Sequence, residues 1–315
     1  MNFSIIIVNY NLSKEISSCL DSIYKNLNTT DFEIVIFDNN SDETSLNLLK
    51  RKVQSINSKN ITLILNDKNI GFGQACNRAV LKANGNILFF LNPDTLVLEN
   101  LFYSIQTEFG QEVFSDKVIG LNVHKHIAID YSAGLFPNLF FEIFNIVSLG
   151  RIIEAFYIKV LTYFNGRKKT KVDWVMGAAF FIPKELFVSI GGFDSDYFLY
   201  FEELDLFKRV KNIGYNVYYL SGTKVLHDGS VSTKKNYYFF TKLFYKGKLI
   251  FLQKHSSTNR FIIFRLLLQV HFINQIILWT FFKLKFPQKA NGKIRAFKEL
   301  IILAQRPKFI SNSTE

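Results

Sequence analysis

Four short apolar runs, at residues 4–8, 33–37, 61–65 and 87–91, each close on polar or turn-forming residues, and this rhythm constrains the fold more than any other feature of the chain. Runs of about five apolar residues suit strands buried on both faces. Between them apolar residues recur at helical spacing: Ile16, Leu20, Ile23 and Leu27 share one face after Ser13, and Leu46, Leu49, Val53 and Ile56 share another after Ser41. Strand alternating with helix predicts an α/β architecture, a doubly wound, mostly parallel sheet flanked by helices. In such sheets ligands gather beyond the carboxyl ends of the strands. This chain places three polar clusters there: Asn9-Tyr10-Asn11, Asp38-Asn39-Asn40-Ser41 and Asn92-Pro93-Asp94.

Charge divides the 315 residues unevenly. From Lys234 onward there are sixteen Lys or Arg against Glu299 and Glu315, whereas residues 1–233 carry twenty-two basic and twenty-four acidic side chains. The net +12 therefore belongs to the tail. A near-neutral first part with a basic, aromatic end fits an anionic membrane surface better than nucleic acid, since no nucleic-acid motif accompanies it. The predicted organisation is one domain over residues 1–233, with a helical insertion at about 134–171, and a helical C-terminal appendage over 234–315. Cys19 and Cys76 have no metal-ligand spacing and suggest cytoplasmic thiols. The N-terminal apolar run is too short for a secretion signal or a membrane span.

Several residues have two readings. Asp94 ends a strand where a hard cation bridging two phosphates needs oxygen ligands, but Asn, Pro and Asp also form ordinary turns. Asp38 has the chemistry to accept from a pyrimidine imide, while Ser41 or Asp42 is suited to cap the next helix. Asn69-Ile70-Gly71-Phe72-Gly73 precedes a helical pattern running to Ala83, so its backbone N–H groups could meet a diphosphate, or the glycines could serve a turn. Glu202, Glu203 and Asp205 open a helix, where carboxylates are also expected for dipole reasons, and Asp205 and Arg209 are spaced for a helix-face pair. His227 is either a ligand or structural. Trp174 is either a core aromatic or a sugar-stacking platform.

Taken in order, SIIIVNYN, DNNSDE, NIGFGQACNRAV, LNPDT, VDWVMGAAFF, GGFDSDYFLYFEELDLFKRVKNIGYNVYYL and VLHDGSVS resemble the family 2 glycosyltransferases of the GT-A fold, over about residues 3–232. The likeness is greatest to the branch with rhamnosyltransferases of bacterial surface polysaccharides. It implies an inverting hexosyltransferase that moves one sugar, rhamnose or another hexose, from a dTDP- or UDP-sugar to a saccharide or lipid-linked saccharide. It assigns Asp94 to a Mg²⁺ or Mn²⁺ ion, with His227 as a further ligand. Asp38 falls on the nucleotide base, Asn9 and Tyr10 near base and ribose, and Gly71, Phe72 and Asn77 along the donor wall. Asn40, Asn69 and Asn92 belong to the same donor site, with Trp174 and Gly177 beside the transferred sugar. The family's catalytic base comes from a Glu-Asp pair; here Glu203 stands in the Asp position and Glu202 is its rival. The Gln-x-x-Arg-Trp signature of processive members is missing, which implies single additions.

The first strand-turn lacks the G-x-G-x-x-G fingerprint of dinucleotide binders. A non-catalytic glycan- or nucleotide-sugar-binding protein of the same fold is the alternative. In the tail, residues 261–282 are long enough to span a bilayer, but Arg265, Gln269, His271, Asn274 and Gln275 would be costly in hydrocarbon. Interfacial attachment at the inner face of the cytoplasmic membrane is the expectation, with packing on the catalytic domain or a second subunit as the other outcome.

Overall fold

A computed structural model of the protein describes residues 3–27, 31–56, 59–109, 117–124, 132–147, 149–150, 152–153, 156, 160, 169–227 and 236–306. The first apolar runs are strands β1 (Phe3–Asn9), β2 (Phe32–Asp38), β3 (Ile61–Leu65) and β4 (Ile87–Leu91), and the periodic segments between them are helices α1 (Ser13–Asn26), α2 (Glu43–Ile56) and α3 (Phe72–Val80). β5 (Thr95–Val97), α4 (Leu101–Phe109), β6 (Lys117–His124), β7 (Ala133–Gly134) and α5 (Leu139–Ile146) follow. Then come β8 (Lys169–Val172), β9 (Trp174–Val175), β10 (Ala179–Pro183), α6 (Lys184–Ser189), α7 (Glu202–Asn212) and β11 (Asn216–His227). The chain ends in α8 (Tyr237–His255), α9 (Thr258–Phe281) and α10 (Pro287–Gln305).

The main sheet runs β3-β2-β1-β4-β10-β6-β11-β5, with β8 on β11. Its β3-β2-β1-β4 half is parallel, but β10 lies antiparallel between β4 and β6, so the sheet is mixed beyond β4. Side-chain alternation sorts the strands onto two cores. Ile5, Ile7, Ile34, Ile36, Phe89 and Phe181 meet α1, α2 and α4 on one face. Ile6, Val35, Leu88, Phe90, Phe180 and Ile182 meet α3, α6 and α7 on the other. Being apolar at every position is what a strand covered on both sides requires.

The segment VDWVMGAAFFIP is not one strand: β9 pairs with β7 in a separate ribbon, and β10 joins the main sheet only after Met176-Gly177-Ala178. Pro183 ends β10 and is the N-cap of α6. One expectation needs revision: the helical insertion is shorter than 134–171. Residues 169–172 form an edge strand antiparallel to β11, because Thr170 and Val172 turn inward while Lys169 and Lys171 turn outward, a period of two. Arg167 and Lys168 lie outside the described residues.

The tail is no loose appendage. Phe201 and Leu204, at the start of α7, share a third core with Leu249 and Phe251 of α8, Phe264 and Phe272 of α9, and Phe297 of α10. A buried Lys248–Glu142 pair at 2.7 Å ties α8 to α5.

Candidate active site

Parallel pairing sets Asn9 opposite Asp38 at the carboxyl edge of the sheet. The antiparallel register of β10 sets Ala179 opposite Leu91, so Gly177 and Ala178 stand beside the Asn92-Pro93-Asp94 turn, and Asn92 N donates to Ala178 O at 2.8 Å. β11 ends at the same place, with His227 opposite Thr95. Residues from five strands therefore meet along one edge, as sheet topology alone requires.

At the nucleotide-side end, buried Asp38 accepts from Asn9 Nδ2 at 2.8 Å, Ser41 Oγ at 2.7 Å and Ser41 N at 3.0 Å. Its carboxylate thus knits the β1 and β2 ends together. Asn9 Oδ1 is buried and has no partner, so the unspent acceptor here belongs to Asn9, a feature sequence reasoning missed. Asp42 settles the capping alternative by accepting from Ser45 N at 2.9 Å. Tyr10 stands half in solvent, 47% exposed, and exposed Asn40 holds a left-handed backbone, φ 67°.

The glycine turn is used differently from the phosphate-cradle expectation. Gly71 N donates to Asn69 Oδ1 at 3.0 Å and Phe72 N to Phe198 O at 3.0 Å, so both N–H groups are already engaged. Gly71 has φ 83°, and a Cβ there would lie 2.4 Å from Phe198 O. The glycine is demanded by the close approach of the 191–201 loop. Asn39, which the sequence reading passed over, fastens this turn to β2: its Nδ2 donates to Asn69 Oδ1 and Gly71 O, and its Oδ1 accepts from Ile70 N. Asn77 likewise spends its amide on Phe193, accepting from its N at 2.9 Å and donating to its O at 2.7 Å. α3 is therefore the floor of the 191–201 loop.

Asp94 Oδ1 lies 3.1 Å from His227 Nε2, and Asn92 Nδ2 is 3.4 Å from the same nitrogen. Adjacent donors around an octahedral cation with bonds of about 2.1 Å are about 3 Å apart. One carboxylate oxygen and one imidazole nitrogen at this separation fit two neighbouring ligands of Mg²⁺ or Mn²⁺, and His227 Nδ1 is a buried atom without a partner. Among the described residues there is no group of three or more His, Cys, Asp or Glu side chains placed to hold a metal ion. Residues 228–232, the rest of the VLHDGSVS stretch, lie outside the described residues. Beneath the turn, the Cys19 thiol contacts Asn92 O, and burial pushes its pKa up to about 12, so it is a brace rather than a nucleophile.

α7 starts from two consecutive left-handed residues, Tyr200 (φ 70°) and Phe201 (φ 72°), a strained entry of the sort concentrated at functional sites. It separates the two carboxylates. Glu202 is buried, with its Cβ 3.6 Å from where a Cβ on Gly73 would be, under α3. Glu203 is half-buried and faces Gly177, where a Cβ would sit 3.7 Å from its own. Gly177 in turn adjoins Ala178, the partner of Asn92. Each glutamate has one buried oxygen without a partner. Burial raises the Glu202 pKa well above the usual range, helped by the nearby Glu203, and burial pushes Glu203 up to about 7.

Asp205 behaves oppositely. Burial alone would raise its pKa, but His255 Nε2 at 2.7 Å and Arg209 Nε at 2.7 Å overcome this and hold it below the ordinary value. The expected Asp205–Arg209 pair exists, and the tail adds His255. Trp174 donates its indole N–H to Leu135 O at 2.9 Å and packs against two cores, which favours its structural reading.

Comparison with known proteins follows the same lines. Residues 4–125 match the family model described as glycosyl transferase family 2. The rhamnosyltransferase WbbL of Escherichia coli (strain K12) is 27% identical over 191 residues, 55% of this chain and 66% of that protein. An N-acetylglucosaminyl-diphospho-decaprenol L-rhamnosyltransferase of Mycobacterium tuberculosis (strain ATCC 25618 / H37Rv) is 33% identical over 87 residues, 27% of this chain and 28% of that protein. The chain thus spans less than two thirds of the length of either relative. Among solved structures, the mannosyltransferase PcManGT from Pyrobaculum calidifontis, in complex with GDP-Man and Mn²⁺, superposes with a TM-score of 0.59 at 14% identity, covering 96% of this chain and 85% of that one. Staphylococcal (S. aureus) TarS 1-349 does so with 0.52 at 13% identity, covering 98% and 93%. At these identities the structures establish the fold, which is GT-A.

Proposed function

We propose that this GT-A chain, resembling family 2 glycosyltransferases and their rhamnosyltransferase branch, transfers a single sugar from a dTDP- or UDP-sugar to a hydroxyl of a saccharide or lipid-linked saccharide, with inversion at the anomeric carbon. The observation that carries the reading is Glu203, an acid whose pKa is pushed up to about 7, facing Gly177 at the sheet edge that also holds Asp94 and His227. A base that ionises near neutral pH can take the acceptor proton without being a permanently solvated carboxylate. Its neighbour Glu202 is turned under α3, which favours Glu203 as the base. The glutamate is one methylene longer than the family's aspartate, and its side chain lies alongside Gly177.

Asp94 and His227 would hold Mg²⁺ or Mn²⁺, which when bound offsets charge on the departing diphosphate. Asn9 orients the nucleotide end through its unpaired Oδ1, and Asp38 keeps Asn9 in place. Rhamnose is the leading donor sugar, supported by the two rhamnosyltransferase relatives, one of which is named for a diphospho-decaprenol acceptor.

The test is release of nucleoside diphosphate from a panel of dTDP- and UDP-sugars with Mg²⁺ or Mn²⁺. Glu203→Gln should lower kcat by about a thousandfold, while the wild-type rate rises with pH through about 7 as Glu203 ionises. A raised carboxyl pKa favours the folded state at low pH, and that stabilisation is lost as pH climbs through the folded value. The wild type should therefore lose thermal stability towards pH 7, and Glu203→Gln should flatten that slope. Metal-independent behaviour with no turnover, and Asp94→Asn indistinguishable from wild type, would make the chain a binding protein instead.

A further inference from the structure

Helix α9 has two unlike faces. On the inner one Phe261, Phe264, Leu268, His271, Phe272 and Gln275 are buried at helical spacing. Three of the polar residues that argued against contact with hydrocarbon, Arg265, His271 and Asn274, bond within the protein. His271 bonds Tyr245 Oη at 2.7 Å and Asn145 O at 2.6 Å, Arg265 Nε donates to Ala304 O at 2.8 Å, and Asn274 Nδ2 donates to Ile146 O at 3.3 Å. On the outer face Ile262, Leu266, Val270, Ile273, Ile277 and Phe281 recur every three or four residues and are 46–78% exposed. No Asp, Glu, Lys or Arg occurs between Arg265 and Lys283.

The ends of this stripe are basic. Arg260 is exposed at one end and Lys283 and Lys285 at the other, where Leu284 is 98% exposed between them. Residues 258–306 hold nine Lys or Arg against Glu299 alone. The bonds to Asn145 and Ile146 bring the end of α5 to the same helix, adding exposed Phe140, Ile143 and Val147.

We infer that the outer face of α9, extended by α5, docks in the plane of an anionic lipid bilayer, with its apolar stripe in the acyl boundary and Arg260, Lys283 and Lys285 among the headgroups. An apolar stripe bracketed by cations is the pattern that holds a helix in the interface. α9 is long and apolar enough to cross a bilayer by composition, but its inner face is committed to α8 and α10 and hydrogen-bonded to α5. A second copy fits less well, because in either orientation cationic ends would face cationic ends. None of these residues is among those assigned to the crevice, so the surface stands independently of the sugar-transfer reading.

Vesicle flotation of the full chain tests this. The protein should float with phosphatidylcholine vesicles containing phosphatidylglycerol, float poorly with phosphatidylcholine alone, and be released by salt. Leu266→Glu with Ile273→Glu should weaken partition at least about tenfold. Lys283→Glu with Lys285→Glu, at exposed positions that carry no core contact, should remove the preference for the anionic lipid. Nucleoside diphosphate release with a soluble saccharide acceptor should be the same in all forms, which separates a failure here from a failure of the transferase reading. No flotation of the wild type, or flotation unchanged in both variants, overturns the inference. So does a dimer in sedimentation equilibrium that the Leu266/Ile273 variant splits while lipid binding is lacking. If that variant melts early, the lysine pair decides.

Discussion

The parallel half of the sheet and the helical tail are both rich in apolar residues, yet they use them in opposite ways. In β1, β2 and β4 almost every apolar side chain is enclosed by helices on two sides. In α9 apolar side chains on every turn face outward. Mean hydropathy does not distinguish a core from an interface; the period of the pattern and the position of the charges do.

The sharpest way to break this contrast is in the sheet. Phe181 is fully buried and stacked on Phe89 at 4.0 Å, so Phe181→Ala should cost about 3–5 kcal/mol in chemical denaturation. A much smaller loss would mean that the sheet core is not packed as described. Next comes the junction of the two regions. His255→Ala removes the tail's partner to buried Asp205 and should cost about 1–3 kcal/mol. Because α7 carries Glu203, kcat should fall with KM little changed, and His255→Gln should recover part of both. If stability falls and kcat does not, the tail supports the fold without positioning the base. The smallest effect belongs to the outer face: Ile273→Ser should change stability by no more than about 0.5 kcal/mol. A larger destabilisation would show that this face is covered in solution.

The parallel half was legible because each step there is local: a five-residue apolar run, a turn, an amphipathic helix. Its register then follows from topology, which is why Asn9, Asp38 and Asp94 share an edge. β10 was harder to read, since antiparallel insertion between β4 and β6 depends on partners far away in sequence, and the break at Gly177 leaves no periodic trace. The same holds for the glycine turn. Gly71 signals a special backbone, but the sequence does not say that Phe198 rather than a phosphate approaches it. Glu202 and Glu203 are indistinguishable as neighbours in a string; only the helix start at Phe201 turns one under α3 and the other towards Gly177. The inward direction of His271 and Asn274 required knowing where α5 and α10 lie.

The His255–Asp205 contact joins residues fifty positions apart, and this sets a schedule for synthesis. As the chain leaves the ribosome, the segment bearing Glu203 emerges with Asp205 lacking its imidazole partner and with Phe201 and Leu204 uncovered, because α8 to α10 are still to come. Domains form as their contacts become available. The helix that carries Glu203 therefore receives its last contacts at the end of synthesis, from the same helices proposed to meet the lipid.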